Sequence, residues 1–451
     1  MSELKSLQDD LERLAGAASQ VSARGSYAVD DHVPKIVTAP DTESALARIL
    51  SYANRRALSV VPWGLGARQS WGEPLERADI VVSLERLAGV VEFDSENLTL
   101  TARAGSSLSE LESAAAKANQ RVALTPPLPN ATTVGGLLAL NVPSATARAF
   151  GNCRDQALGL RAALAEGHII SSGGKTMKNV AGYDLTRLFI GSFGTLGVIT
   201  QATFRTAPLP ETSASIQAAF PESGTAQQFI AELLASPMLP VSLNLLTGAC
   251  AASGAGPLAL ISYEASGIVV DRELRETHAL LKKHGATQIQ ILHDHQHDER
   301  FREVQDYPAK AATLGVVGIL RLTVPLGSVV RATGAAETLA RSLAFRPGCL
   351  AHAGSGVVQL YLWSTAAPEV AAEKLRDLVP TLRATARRLR GHLFVERSPL
   401  PVRHAVPCVG LEGAAVPLMA RLKDALDPRN ILNRGRLPLT VEKDHSVQEH
   451  Q

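Results

Sequence analysis

One glycine-rich run, between residues 173 and 199, constrains the fold of this chain more than any other feature. The run has the sequence GGKTMKNVAGYDLTRLFIGSFGTLGVI, in which glycines surround isolated Lys, Asn and Asp residues. Glycine allows positive φ and, without a Cβ, lets a phosphate or a flat ring approach backbone N–H groups that together bind anions. The run therefore predicts a nucleotide-type cofactor held by loops.

Two common nucleotide-binding motifs do not match this chain. A Walker A loop ending at residues 174–176 would require glycine at position 169, which is Ile169. A second glycine loop, at 63–66, would need a glycine at position 69 to match the Rossmann fingerprint, and Gln69 stands there. The spacing therefore argues against an ATP site and against a dinucleotide site of the Rossmann type.

Three glycine-containing segments follow one another along the chain. They are VPWGLGARQSWG (61–72), PPLPNATTVGGLLALN (126–141) continued by FGNCRDQALGL (150–160), and the run at 173–199. In this order they resemble the three phosphate loops of the FAD-binding domain of the vanillyl-alcohol-oxidase type, also called the PCMH type. Within that family, GGKTMKNVAGYDLTRL is most similar to the FAD-binding E subunit of bacterial glycolate oxidase.

The resemblance implies FAD as the cofactor and assigns residues to its site. Taken singly, the glycines are typical of turns, and Arg154 with Asp155 could equally form a surface ion pair. Members that tether flavin covalently carry a histidine at the position of Ala67, and alanine cannot form that bond, so the FAD is expected to be noncovalent. The implied cofactor residues are Trp63, Gly64, Leu65, Gly66, Ala67, Arg68, Thr132, Thr133, Val134, Gly135, Gly136, Asn141, Arg154, Asp155, Gly191, Gly194, Thr195, Ile199 and Asn433.

Composition narrows the class of protein. The 45 Lys and Arg residues balance 43 Asp and Glu residues, which gives no electrostatic case for nucleic acid as a partner. No apolar run approaches the length of a membrane span, and the first residues have an amphipathic helical pattern rather than that of a signal peptide. Four dispersed cysteines without a Cys-x-x-Cys pair match no iron–sulfur or zinc motif. We therefore expect a cytoplasmic protein, with membrane association only through partners.

The pattern of apolar residues predicts an α+β fold, and the resemblance implies that its first part is a two-lobed FAD-binding domain of the PCMH type. Strand, helix and strand patterns alternate up to residue 206, and the helix at 41–57 has Asp41 or Thr42 as its N-cap. Beyond residue 206 we expect a cap domain whose antiparallel sheet is covered by helices on one face. The expected boundaries are an N-terminal helix at 1–29, the FAD-binding domain at 30–208, the cap or substrate domain at 209–410, and at 411–451 a segment that returns to the FAD domain and ends in a disordered tail.

The predicted cap elements are short and regularly spaced. At 418–438, the chain resembles the family's C-terminal return segment, although Arg434 replaces the usual proline. The expected cap elements are helices near 224–235, 270–284, 328–344 and 367–390, and strands near 241–247, 257–263, 286–292, 315–325, 349–363 and 392–399.

The catalytic residues are less firmly indicated. Relatives that oxidise 2-hydroxy acids carry His-x-Gly-Asp-Gly-Asn-x-His in the cap for base and metal chemistry, whereas this chain has Ser355, Val357 and Gln359 at the last three polar positions and keeps His352. We therefore expect no metal site, with His352 either a base or a core histidine. Arg321 on an apolar strand could bind a substrate anion or pair with a structural carboxylate such as Glu264 or Glu396.

One histidine-rich segment invites a metal interpretation. HDHQHDER, at 293–300, places histidines at alternate positions, but its neighbours are all polar and no apolar shell surrounds it. A solvated loop or the start of a helix is the better interpretation.

The resemblance predicts an FAD-dependent oxidoreductase acting on CH–OH groups. The expected role is that of the FAD-binding subunit of a glycolate oxidase complex, with a larger FAD-containing catalytic subunit and an iron–sulfur subunit as partners and glycolate or a similar 2-hydroxy acid as substrate. Two alternatives remain open: a self-sufficient D-2-hydroxyacid (D-lactate) dehydrogenase, and a non-catalytic assembly subunit with structural flavin.

Overall fold

The N-terminal half of the chain forms two lobes around a shared apolar core. A computed structural model describes residues 2–15, 24–175, 183–251 and 256–438. The smaller lobe is a parallel sheet in the order β1-β3-β2, and the larger is an antiparallel sheet in the order β4-β5-β9-β7-β8, with β6 paired to β9. The strands are β1 (Ile36–Thr38), β2 (Val60–Trp63), β3 (Ile80–Ser83), β4 (Val90–Asp94), β5 (Thr99–Arg103), β6 (Gln120–Val122), β7 (Ala157–Ala163), β8 (Ile169–Gly173) and β9 (Val198–Pro208).

Helices pack against both sheets and close the core between them. The side chain of Thr42 accepts a hydrogen bond from the amide of Ala45 at 3.2 Å, so Thr42 is the N-cap of α2, one of the two candidates that the sequence indicated. The helices of this half are α1 (Ser2–Ala15), α2 (Glu43–Arg55), α3 (Leu108–Ala116), α4 (Val134–Leu140), α5 (Ala147–Phe150), α6 (Cys153–Gln156) and α7 (Leu185–Phe189).

The C-terminal half is built on one large antiparallel sheet. Its order is β13-β10-β12-β11-β15-β16-β14-β17. The strands are β10 (Thr212–Ala219), β11 (Ser242–Gly248), β12 (Leu258–Ala265), β13 (Thr287–His293), β14 (Gly318–Thr323), β15 (Arg346–His352), β16 (Val357–Trp363) and β17 (His392–Arg397).

The two faces of this sheet have different neighbours. One face packs against α8 (Ser223–Ala235), α9 (Gly267–Lys283), α12 (Val329–Ser342) and α13 (Pro368–Arg388), which bury the main core of this half. The other face carries α10 (Asp294–Gln305) and α11 (Tyr307–Thr313) and turns its remaining side chains towards the FAD-binding half. The short helix α14 (Leu400–Ala405) follows β17. The α+β class and the helix-covered antiparallel sheet are therefore confirmed.

The end of the chain returns to the first lobe. After α15 (Ala415–Leu426), both carboxylate oxygens of Asp427 accept hydrogen bonds from the amides of Ile431 and Leu432. Leu432 then forms a parallel bridge with Val60 of β2, and the amide of Asn433 donates to the Val60 carbonyl at 2.9 Å. Arg434, the departure from the family pattern, is exposed and pairs with Glu76 at 2.6 Å, so it does not prevent the turn.

The strand β10 was not among the predicted elements. Its sequence TSASIQAA contains small and polar residues, and its apolar side chains are few. It is a strand because it lies inside the sheet, paired with β12 on one side and β13 on the other, so tertiary pairing outweighs its weak local preference.

Candidate active site at the junction of the two halves

The first glycine loop supplies free hydrogen-bond donors. It follows β2 directly and lines a cleft of about 810 Å³ between the lobes. Within the described residues, the backbone N–H groups of 64–67 donate no hydrogen bond, although these residues lie on the cleft wall. Successive unpaired amides of this kind form an anion-binding concavity, which suits a pyrophosphate.

The second loop contributes shape rather than free donors. The amides of Val134 and Gly135 donate to the carbonyls of Ser106 and Ala104, and the amide of Gly136 donates to the Thr133 hydroxyl at 3.2 Å. These three donors are therefore already used at the start of α4. Of these two loops, only the first therefore offers free amide donors to an anion.

Two glycines of these loops face different surroundings. A Cβ on Gly136 would meet only the Thr133 hydroxyl, at 3.1 Å, and would otherwise extend into the cleft. A Cβ on Gly64 would overlap that same Thr133 hydroxyl. The absence of a side chain at Gly136 thus keeps the cleft open, whereas at Gly64 it allows the two loops to pack together.

The C-terminal return segment forms the opposite wall. The Nδ2 group of Asn433 donates to the Phe193 carbonyl at 2.6 Å, and its Oδ1 atom is buried without a partner. Arg436 is held by Asp30 and by the Glu73 carbonyl, and burial lowers the pKa of its guanidinium to about 10, so it remains charged at neutral pH. An unsatisfied acceptor beside a buried cation, on a wall facing free amides, fits a nucleotide cofactor.

The structure divides the expected cofactor residues into two groups. Those on the cleft wall are Trp63, Gly64, Leu65, Gly66, Ala67, Arg68, Thr133, Gly135, Gly136, Gly194, Ile199 and Asn433. The others support the wall from behind or lie near it: Thr132, Val134, Asn141, Arg154, Asp155, Gly191 and Thr195.

Arg154 and Asp155 have internal partners. The Arg154 guanidinium donates to the carbonyl of Ile190 at 3.2 Å, and the Asp155 carboxylate accepts from the amide of Asn152 at 2.8 Å. The two residues are therefore not a surface ion pair with each other, and neither lines the cleft. The middle of the third glycine run, residues 176–182, lies outside the described residues.

The cap sheet presents polar side chains to a second cavity. This cavity, of about 320 Å³, lies between the N-terminal half and the sheet face that carries α10 and α11. His352, Gln359 and Glu396, from β15, β16 and β17, form its polar floor. All three are buried, and a β-bulge between β14 and β17 leaves Glu396 without a direct partner in the ladder.

His352 is held in one orientation. Its Nδ1 atom lies 2.7 Å from the side-chain oxygen Oδ1 of Asn244, and the two residues are directly opposed in the β11–β15 ladder. Because Oδ1 can only accept, Nδ1 carries the proton and Nε2 keeps its lone pair. Burial lowers the pKa of His352 to about 4, so the ring is neutral at physiological pH.

Arg321 is paired inside the protein. Its Nε atom lies 3.3 Å from Oε1 of Glu396, and its guanidinium packs over the rings of Trp71 and Phe394, at 5.2 and 4.8 Å from their centroids. Arg321 does not line the cavity and pairs with Glu396, one of the alternatives that the sequence left open, while its role as a substrate contact stays a prediction. Glu264, the other carboxylate considered, pairs with Arg121 instead.

Glu396 combines burial with incomplete hydrogen bonding. Its Oε2 atom accepts from Gln359 at 2.8 Å, while the geometry of the Arg321 contact leaves Oε1 without a hydrogen bond. Burial raises the pKa of Glu396, and the neighbouring charge of Arg321 opposes that rise. The carboxyl group is therefore a candidate for proton exchange at the cavity wall.

Three residues connect the two cavities. Ala67, Arg68 and Trp71 line both the cleft and the cap cavity. Arg68 donates to the Thr132 hydroxyl and to the Pro127 carbonyl, at 2.9 and 2.8 Å, and burial lowers its pKa to about 10. In the described part of the chain no carboxylate lies within ion-pair distance of Arg68, so this cation is available to an anion.

Sequence reasoning missed Asn244 and Trp71. Asn244 is a polar residue inside the apolar strand SLNLLTG, which is a signal for a specific hydrogen bond. Trp71 belongs to the first loop, and nothing in its neighbours indicates that it packs under an arginine of the other half.

The histidine-rich segment begins a helix, as one interpretation predicted. Asp294 starts α10, but His297 is buried, and its Nδ1 atom lies 2.7 Å from the Ser215 hydroxyl. The prediction that the whole segment is solvated is therefore wrong for His297. Across residues 2–15, 24–175, 183–251 and 256–438, no group of three His, Cys, Asp or Glu side chains is placed to hold a metal ion. In the same ranges, no helix has both the length and the apolar character needed to cross a membrane.

Relatives of known sequence match most of the chain. Glycolate oxidase subunit GlcD of Bacillus subtilis is 27% identical over 421 residues, covering 90% of this chain and 89% of that protein. D-lactate dehydrogenase of Archaeoglobus fulgidus is 28% identical over 417 residues, covering 89% and 91%. Glycolate oxidase subunit GlcE of Escherichia coli is 34% identical, but only over 178 residues, 39% of this chain and 50% of that protein. The specific similarity to the E subunit that the third glycine run suggested is therefore not supported over the whole chain.

Solved structures and family models agree on the fold. p-Cresol methylhydroxylase superposes with a TM-score of 0.73 at 14% identity, covering 97% of both chains, and 4-ethylphenol oxidase from Gulosibacter chungangensis with 0.72 at 12% and the same coverage. A model described as FAD binding domain matches residues 34–173, and one described as FAD linked oxidases, C-terminal domain, matches 209–396 and 410–437. The chain therefore belongs to the FAD-linked oxidases whose FAD-binding domain is of the PCMH type.

Proposed function

We propose that this protein binds FAD noncovalently in the inter-lobe cleft and oxidises a small 2-hydroxy acid to the 2-oxo acid in the cap cavity. The observation that carries the proposal is the shared wall, because Ala67, Arg68 and Trp71 place one end of the cleft in direct continuity with the polar floor of the cap cavity. When bound, FAD would supply the two-electron acceptor of the reaction.

The FAD is held by the chain in three ways. The unpaired amides of residues 64–67 would hold its pyrophosphate, the open space at Gly136 would leave room for it, and Asn433 would offer it a buried acceptor. Alanine at position 67 forms no bond to the ring, so binding is reversible.

The substrate is oriented by a cation and a base. Arg68, which lacks a carboxylate partner among the described residues, binds the substrate carboxylate. Nε2 of His352 accepts the hydrogen bond of the substrate hydroxyl and then its proton, because Asn244 holds the other ring nitrogen protonated. Glu396 lies on the same floor as a second proton acceptor.

The names of two relatives agree with a 2-hydroxy acid as the substrate. GlcD and the archaeal D-lactate dehydrogenase, both similar over about nine tenths of this chain, are named for 2-hydroxy acids. We also propose that the protein works within a glycolate oxidase type complex, beside a larger flavoprotein subunit and an iron–sulfur subunit. Support for that role comes from the cap motif, where Ser355, Val357 and Gln359 replace the residues used for metal and base chemistry in self-sufficient relatives.

One observation favours the self-sufficient alternative. His352 and Glu396 line the cap cavity of this chain, and Asn244 holds His352 in place from within the same sheet, so no partner is needed to orient that base.

Anaerobic mixing of the FAD-loaded chain with glycolate, D-lactate and longer 2-hydroxy acids tests the proposal. We expect flavin bleaching by at least one acid, with a rate that falls by about 10²- to 10⁴-fold in His352→Gln. Bleaching within seconds by the isolated chain would favour self-sufficiency, whereas bleaching that becomes fast only with co-purified partner subunits would favour the complex. No bleaching under either condition would contradict the oxidation and leave the role of an assembly subunit.

A further inference from the structure

The cap cavity has two kinds of wall, and this division bears on the identity of the substrate. The floor and the flavin side carry the charged and hydrogen-bonding groups, namely Arg68, His352, Gln359, Glu396 and, at the mouth, Arg397. The remaining walls come from α11, from β14 and from two loops of the FAD-binding half. Their side chains are mainly apolar: Pro127, Leu128, Val142, Pro143, Ala145, Pro308, Ala309, Ala312 and Ile319.

Small residues create the space on the apolar side. On α11 the residues that line the cavity are Pro308, Ala309 and Ala312, while Lys310 is exposed and lies outside it. The cavity volume of about 320 Å³ lies at the lower end of the roughly 300–1,000 Å³ found for sites that take drug-sized ligands, and a two- or three-carbon acid leaves much of it unfilled.

Hydrogen bonds fasten the apolar wall to the FAD-binding half. The amide of Leu128 donates to the Asp306 carboxylate at 2.7 Å, and the Gln305 amide group donates to the Pro126 carbonyl at 2.8 Å. These contacts join the end of α10 to the loop that forms the facing wall. The apolar space is therefore enclosed on both sides rather than an open surface.

Building on the proposed function, we infer that the cavity favours 2-hydroxy acids with an apolar side chain of about four or more carbons over glycolate or lactate. The carboxylate and hydroxyl occupy the polar floor, and the side chain fills the space along α11. Burial of each methylene there contributes about a fourfold gain in affinity until the space is filled. Along the apolar walls a second carboxylate would lose its hydration, and among the described lining residues besides Arg68 only Arg397, at the mouth, could replace it, so a dicarboxylic substrate gains less from this space than an apolar one.

Calorimetric titration of the FAD-loaded protein with 2-oxo acids tests this inference without relying on turnover. The series consists of glyoxylate, pyruvate, 2-oxobutyrate, 2-oxohexanoate and 2-oxo-octanoate, with 2-oxoglutarate as a polar control of similar length. We expect affinity to rise about fourfold per methylene over the first few additions and 2-oxoglutarate to bind more weakly than 2-oxohexanoate. Equal affinity along the series, or tighter binding of 2-oxoglutarate, would overturn the inference.

A pair of substitutions on the same helix localises the effect. Ala309→Leu should reduce the ratio of 2-oxo-octanoate to pyruvate affinity by about tenfold, because the larger side chain occupies the space of the ligand. The matched control Lys310→Leu, outside the cavity, should leave the ratio unchanged. An unchanged ratio in a folded Ala309→Leu protein would contradict the location.

Reduction of the flavin by the corresponding 2-hydroxy acids separates this inference from the proposed function. Bleaching by glycolate and D-lactate that is as fast as with longer acids would refute the chain-length inference and leave the oxidation intact. Absence of bleaching by every acid, despite length-dependent binding of the 2-oxo acids, would refute the oxidation and the substrate assignment with it.

Discussion

Oδ1 of Asn244 lies 2.7 Å from Nδ1 of His352, directly across the ladder between β11 and β15. The contact leaves Nε2 of His352 unprotonated at a cavity that adjoins the FAD cleft. The ring is buried, and burial lowers its pKa to about 4, compared with 6.5 for a free histidine. The fixed orientation and the free lone pair suit a proton acceptor for a hydroxyl, while burial makes the ring a weaker base than a free histidine and makes the fold sensitive to acid.

The acid sensitivity of the fold should depend in part on His352. Because the folded pKa is depressed, the unfolded chain binds more protons at this site, so its contribution to stability is present above pH 6.5 and is lost as the pH falls towards 4. Between pH 7 and pH 5, the site should account for a loss of about 2 kcal/mol in the free energy of unfolding. Chemical denaturation of the wild type and of His352→Gln at both pH values measures this loss.

The loss of unfolding free energy in His352→Gln is subtracted from the loss in the wild type. Groups that titrate equally in both proteins then make no contribution to the result. Glutamine keeps a side chain able to hydrogen-bond with Asn244 and carries no titrating group. If the two proteins lose the same free energy between pH 7 and pH 5, the ring is not buried in its neutral form.

Gly136 should be required for FAD but not for the fold. A Cβ there would contact only the Thr133 hydroxyl, at 3.1 Å, and would point into the cleft, and alanine is the better helix former. We expect Gly136→Ala to weaken FAD binding and Gly136→Val to abolish it, with unfolding of the flavin-free protein little changed. Flavin absorbance after gel filtration, together with thermal unfolding of the apoprotein, measures both properties.

Gly64→Ala serves as the contrasting substitution. Its Cβ would overlap Thr133, so the apoprotein itself should lose stability. Full FAD occupancy in Gly136→Val would show that the bound cofactor does not lie against the start of α4.

Acid precipitation should release all of the flavin. Ala67 lies on the wall shared by the two cavities, at the position where covalently flavinylated relatives carry histidine, and its methyl group cannot bond to the ring. The supernatant after precipitation should contain one FAD for each chain that had bound it. Colour retained in the pellet would show a covalent link elsewhere in the site. The variant Ala67→His, with flavin measured in its pellet, tests whether this position is near enough to the ring for tethering.

Much of this arrangement could be predicted because it depends on local chemistry. Glycine spacing indicated the first two loops, and helical periodicity located α2 with Asp41 or Thr42 as its N-cap, since both signals arise within a few residues; that the second glycine pair begins the helix α4 was not predicted. The alternative pairing of Arg321 with Glu396 followed from the cost of burying a charge without a partner.

The remaining features depend on contacts between distant parts of the chain. Asn244 and His352 are 108 residues apart and meet only through strand order, which local patterns do not encode. Trp71 stacks under an arginine from the other half, and β10 is a strand because neighbouring strands pair with it on both sides. The internal use of the amides of Val134 and Gly135 likewise follows from packing against the turn after β5, whereas the amide of Gly136 binds its local N-cap Thr133.

The buried pair of Arg321 and Glu396 should contribute to the free energy of unfolding, because each charge is buried beside the other. Removing the cation in Arg321→Met leaves Glu396 without the charge that opposes the rise of its pKa, and breaking a buried pair in this way costs about 3–5 kcal/mol. The double variant Arg321→Met with Glu396→Gln should lose less than the sum of the single variants, because neither charge then stays buried alone. The exposed pair of Arg434 and Glu76, at 2.6 Å, is the matched control, and Arg434→Met should cost no more than about 1 kcal/mol. Denaturant unfolding of the wild type and the four variants gives these values. If the losses caused by Arg321→Met and Glu396→Gln simply add, then Arg321 is held by Trp71 and Phe394 rather than by the carboxylate.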